Sequence, residues 1–179
     1  CGTRKAEGET GNSDPRGDGF DVDYVAHEMG HQFGGNHTFI GTLGSCSGNG
    51  NASTAYELGS GSTIQAYAGI CSTQDLQPHS DDYFHTVSLN EMSAYITGGG
   101  ACSSNAANGN TIPTLPALTS YTNVPVSTTF TLTAPTATDP NGDTLTYAWE
   151  DYNTGTACRF RPKAPTTSPR RQGWCQRSI

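Results

Sequence analysis

Methionine and tryptophan are scarce in this chain, two of each, and so are positive charges. Nine Lys and Arg side chains stand against sixteen Asp and Glu, giving a formal charge of −7. An acidic body repels phosphate backbones, so nucleic acid is excluded as a partner. No run approaches the roughly 20 apolar residues needed to cross a bilayer, and no signal peptide is visible, so no membrane span is expected. There is no glycine-rich phosphate loop, no serine nucleophile elbow and no CxxC pair. Hydrophobic residues make up only 33% of the 179, while Gly reaches 22. A modest, loop-rich core is therefore expected, in one domain or two small ones.

Against these absences stands His27-Glu28-Met29-Gly30-His31-Gln32-Phe33-Gly34-Gly35-Asn36-His37. Residues four apart lie on one face of an α-helix, so His27 and His31 can both aim a ring nitrogen at one ion. Glu28 sits beside them, within reach of a metal-bound water. Gly34 and Gly35 end the helix, because glycine tolerates the left-handed backbone of a sharp exit, and the turn returns His37 as a third ligand. A structural zinc site is usually closed by four protein ligands and favours Cys, whereas three imidazoles leave one position open for chemistry. The cofactor implied is one catalytic zinc ion, with His27, His31 and His37 as ligands and Glu28 as general base.

The extended HExxHxxGxxH pattern resembles that of the metzincin metallopeptidases. The flanks Asp21-Val22-Asp23-Tyr24-Val25-Ala26 and Thr38-Phe39, the stretch from Ala55 to Cys71, and Ser80-Asp81-Asp82-Tyr83-Phe84-His85 are similar to bacterial members of its reprolysin-like (adamalysin-type) branch. The resemblance covers about residues 17 to 100. It implies a zinc-dependent metalloendopeptidase acting on protein or peptide substrates, secreted or at a bacterial cell surface. It also implies a methionine in a tight turn beneath the metal, where this chain has Gln65. Gln matches Met in length, but a buried amide without partners costs on the order of 1 to 3 kcal/mol. Gln65→Met is thus expected to raise the melting temperature of the zinc-loaded protein. Tyr67, two residues further on, stands where some metzincins place a hydroxyl near the metal or the transition state; the alternative is a core tyrosine bonded to backbone.

The chain starts at Cys1 without methionine, and only 26 residues precede His27, whereas the resemblance implies a whole subdomain there; a processed or truncated start is expected. That shortage and Gln65 favour, as the alternative for this chain, a zinc-binding but catalytically inactive fragment or an extracellular binding module. Cysteines at 1, 46, 71, 102, 158 and 175 fit disulfides in an oxidising compartment, with connectivity open. His79 and His85 are off ligand spacing and read as surface or satisfied core residues. Asn36-His37-Thr38 and Asn51-Ala52-Ser53 match the glycosylation pattern, but Asn36 adjoins a ligand and is discounted.

Downstream, Ser88-Leu89-Asn90-Glu91 reads as a capping box opening a helix through about Ile96, ended by Gly98-Gly99-Gly100. Period-two patterns follow at 129–133 and 144–149, joined through Asp139-Pro140-Asn141-Gly142-Asp143. That acidic cluster fits a tight turn better than a calcium site. The expected fold class is α+β: a metzincin-like catalytic fragment, active-site helix plus loop-rich C-terminal subdomain, followed by a partial all-β immunoglobulin-like sandwich. The expected boundaries are 1–102 for the peptidase region, 103–110 for a linker, 111–157 for the β module and 158–179 for a basic, unstructured tail. That tail holds six of the nine basic residues and no acid. Oligomeric state is not legible in the sequence.

Overall fold

Helix formation concentrates where the ligand pattern lies. In the computed structural model of the chain, residues 8–100, 106–117, 128–129 and 131–154 are described. One run of helix covers α1 (Asp18–Phe20), a π-helical stretch (Asp21–Ala26) and α2 (His27–Gln32). It ends where Gly34 takes a φ of 92°, a left-handed conformation that a side chain would strain. The N–H groups of Phe33, Gly34 and Gly35 turn back to the carbonyls of Met29, His31 and Gly30.

The chain then runs through loops with short 3-10 turns at Gly44–Cys46 and Ser72–Gln74 before α3 (Thr86–Thr97). His85, not Ser88, caps α3: its Nδ1 accepts the Val87 N–H at 3.1 Å. The capping-box reading is therefore corrected. The helix opens three residues earlier because the imidazole already satisfies an orphan N–H, which leaves Ser88 inside the helix and buried.

The interior is small and unusually polar. Its apolar centre is Phe39 with Cys46 and Cys71, joined as a disulfide, and Tyr67 packs against them. Thr38, Thr54, Ser60, Thr63, Gln65, His27 and His85 are also buried. Hydrogen bonds to loop backbone therefore hold much of this interior together. Glu57 is one hub: its carboxylate accepts from the Thr38 hydroxyl, from the N–H groups of Ser62 (2.9 Å) and Thr63 (3.1 Å), and from the Thr63 hydroxyl (2.6 Å).

Two units divide the chain, Cys1–Ser103 with Glu150–Ile179, and Ser104–Trp149. Within the first, Glu150 accepts the Thr86 N–H at 2.9 Å, and Tyr152 stacks on Tyr56 at 4.8 Å between ring centres. Within the second, Asp139 closes a turn by accepting the N–H groups of Asn141 (2.8 Å) and Asp143 (3.1 Å).

The α+β class and the immunoglobulin-like sandwich are both overturned. Among the described residues there is no strand and no sheet, only isolated bridges between Phe39 and Glu57 and between Thr114 and Thr138. The period-two stretch at 144–149 finds no partner strand, and Leu132, Tyr147 and Trp149 stay 41 to 49% exposed. An alternating pattern becomes a strand only where a neighbour takes its backbone hydrogen bonds and covers its apolar side. The readings for Cys1, Cys102, Cys158 and Cys175 and for the basic stretch 158–179 lie outside the described residues.

Candidate metal centre

α2 sets His27 and His31 one turn apart, and the Gly34 exit brings His37 back to them. The three Nε2 atoms stand 3.0 Å (His27 to His31), 3.0 Å (His31 to His37) and 3.2 Å (His27 to His37) apart. These contacts are not hydrogen bonds. Each ring donates from Nδ1 to a backbone carbonyl, which can only accept: His27 to Ile64 (2.7 Å), His31 to Gly35 (2.7 Å) and His37 to Asn49 (2.5 Å), which leaves Nε2 as the nitrogen available to a metal. Three lone pairs consequently face one point, an arrangement that repels itself unless a cation sits among them. A tetrahedral ion with nitrogen ligands at 2.0–2.1 Å has ligand-to-ligand edges of about 3.3 Å, close to the spacing found. The donor set therefore fits zinc. Among the described residues, no other group of three or more His, Cys, Asp or Glu side chains could share an ion.

Protonation supports the same reading. His27 is lowered to about 4, first by burial, then by the neighbouring His31 and His37, with the Ile64 carbonyl opposing. His37 is also lowered, again chiefly by burial. Both rings are thus neutral at pH 7 and keep their lone pairs free.

His37 lies outside α2, so loops must hold it. Its ring packs against Tyr67 (4.5 Å between centres) and Phe39 (5.2 Å). Asn49, which supplies its carbonyl, is tied to Cys46 through its N–H (3.2 Å) and to Ser45 through its amide (2.8 Å). Asn36, next in sequence to His37, donates both its backbone N–H (2.8 Å) and its side-chain amide (2.7 Å) to Glu91 on α3.

Glu28 and Tyr67 line a cleft of about 660 Å³ together with His27, Asp23 and Tyr24. The Tyr67 hydroxyl is pushed up from its ordinary value of 10.0, first by burial and then by the Glu28 charge, so it stays a donor at pH 7. Gln65 is fully buried beneath α2, with its amide against His31 and its Oε1 without a partner. His79 bonds Asp23 at 2.7 Å on the surface, and His85 is buried with Nε2 3.2 Å from the Asp151 carbonyl, as expected of residues off ligand spacing.

The sequence model of the family described as Metallo-peptidase family M12B Reprolysin-like matches residues 2–96, which carry the three imidazoles, Glu28, Gln65 and Tyr67. The chain belongs to that family. It is a metallopeptidase in its general kind, and the substrate class this implies is protein or peptide. Comparison with curated proteins and with solved structures gives no match.

In this reprolysin-like chain, spacing alone named the three imidazoles that come together. It missed their supports, since Ile64, Gly35 and Asn49 act through backbone carbonyls that no side-chain pattern reveals. In the sequence Glu91 reads as part of a cap, and its distance of 55 positions from Asn36 hides the clamp.

Proposed function

We propose that the chain is a zinc-dependent metalloendopeptidase of a secreted or cell-surface protein, with His27, His31 and His37 as ligands, Glu28 as general base and Tyr67 as a hydrogen-bond donor to the substrate oxygen. The observation that carries this reading is the convergence of three Nε2 atoms, each ring fixed by an Nδ1 bond to a carbonyl, with one of the rings, His27, lining an open cleft together with Glu28.

A zinc ion held by His27, His31 and His37 would supply a water far more acidic than bulk water and a Lewis acid for the scissile carbonyl. Glu28 follows His27 on the same turn and lines the same cleft, so its carboxylate takes the proton of the attacking water. The same carboxylate then delivers that proton to the leaving amine, which avoids expelling an amide anion. Tyr67, neutral at working pH, donates toward the oxygen that gains charge as the carbonyl becomes tetrahedral. The Cys46–Cys71 disulfide fits the oxidising compartment in which such an enzyme would act.

Zinc content and cleavage of a quenched peptide pool, with and without chelator, test the proposal together. Stoichiometric zinc with chelator-sensitive cleavage is expected. Zinc without cleavage leaves a metal-binding module, and cleavage that survives metal removal removes the mechanism.

A further inference from the structure

Gln65 is completely buried, its amide oxygen has no hydrogen-bond partner, and its amide nitrogen lies 3.2 Å from Nδ1 of His31. That Nδ1 already carries a proton, because it donates to the Gly35 carbonyl at 2.7 Å. An N–H would thus face an N–H while an acceptor stands idle on the same amide. The two ends of an amide have nearly the same shape, and a half-turn about the last side-chain bond exchanges them without needing space.

We infer that Gln65 holds its amide oxygen toward His31 and accepts part of the Nδ1 proton it shares with Gly35, which makes Gln65 a positioning residue for this ligand. The inference rests on the reading of the three imidazoles as a zinc site.

Two acceptors on one N–H fix the rotation of the ring and make Nε2 the stronger donor to a metal. Methionine cannot do this, since a thioether sulfur accepts only weakly. The approach depends on Gly30, because a Cβ there would stand 2.0 Å from the outer atom of the Gln65 amide. Glycine in the middle of α2, costly for a helix, is what lets the residue beneath come close enough to reach His31. The effects of Gln65→Met then separate: removing a buried amide stabilises the zinc-free fold, while losing the acceptor weakens zinc.

Zinc dissociation constants from chelator competition, with melting temperatures of the zinc-free proteins, decide the matter for the native chain and for Gln65→Met, Gln65→Leu and Gln65→Glu. Met and Leu should each weaken zinc about tenfold, the scale of lost outer-shell hydrogen bonds, while Glu, which keeps an acceptor, stays within about threefold of native. Cobalt in place of zinc should show an altered visible spectrum in the Met and Leu proteins and a native one in the Glu protein. Native affinity in the Met and Leu proteins, or an equal loss in the Glu protein, overturns the inference while the ligand assignment stands. A native chain that binds no zinc overturns the ligand assignment first and the inference with it.

Discussion

In the proposed mechanism a carboxylate and a hydroxyl divide the chemistry between them, and each can be removed without replacing a histidine. Glu28→Ala should leave zinc bound and lower kcat/KM by a factor on the order of 10² to 10⁴, the usual contribution of a positioned general base. Near-native turnover in that variant would remove Glu28 from the mechanism. Tyr67→Phe should lower kcat about 10²-fold with KM little changed, because its hydrogen bond is made as charge develops. An unchanged kcat returns Tyr67 to the core role its contacts with Phe39 and His37 already allow. At this scale the sequence was most legible. Residues four apart on a helix must share a face, so His27 and His31 could be paired on paper. The fate of their second nitrogens could not, since the carbonyls of Ile64 and Gly35 belong to any residue. Gln65 was visible as a departure from methionine, while the atom it touches needed coordinates.

Between elements, the least secured of the three imidazoles is His37, carried on a loop and bonded to the carbonyl of Asn49, whose N–H is tied to Cys46 of the Cys46–Cys71 disulfide. The bridge spans 25 positions, and closing a loop of that size contributes about 3 kcal/mol. Cys46→Ala with Cys71→Ala should therefore lower unfolding free energy by about that amount and weaken zinc as well, which denaturant titration and chelator competition measure separately. Loss of stability with native zinc affinity would detach Asn49 from this role. Burial gives the zinc-free protein a pH dependence too. His27 sits at about 4 when folded and 6.5 when free, so the unfolded chain takes up the proton first as pH falls. The stability contributed by neutral His27 is complete above pH 6.5 and drains away between there and about 4. Denaturant midpoints of zinc-free protein should drop between pH 7.5 and 5, and the drop should shrink in His27→Gln. The start of α3 was misread for a physical reason. A histidine with its Nδ1 turned to the chain caps a helix as a serine does, yet its letter carries no such signal.

The molecule as a whole was the least legible. Alternation of Thr and aromatics at 129–133 and 144–149 promised strands, but pairing is a property of two segments, and one segment's pattern cannot supply the other. What the described residues show is a polar, loop-built interior with little regular structure outside two helical regions. In such a fold, short aromatic contacts matter. Tyr152, stacked on Tyr56 with its hydroxyl accepting from Asn90 at 3.0 Å, should lose about 1 kcal/mol of stability on substitution by Ala, with zinc affinity unchanged. Thermal melting with metal titration checks both parts, and a Tyr152→Ala protein of native stability would show the contact to be idle.

The central claim is that three imidazoles hold one zinc ion on which peptide hydrolysis depends. Its most direct test strips metal from the protein, counts zinc on return, and follows cleavage of a quenched peptide pool across the titration. Cleavage that rises in step with zinc and saturates at one ion per chain, in a protein that loses both on His37→Ala, is the predicted result. Cleavage indifferent to zinc, or one tightly bound zinc that survives His37→Ala, would contradict it.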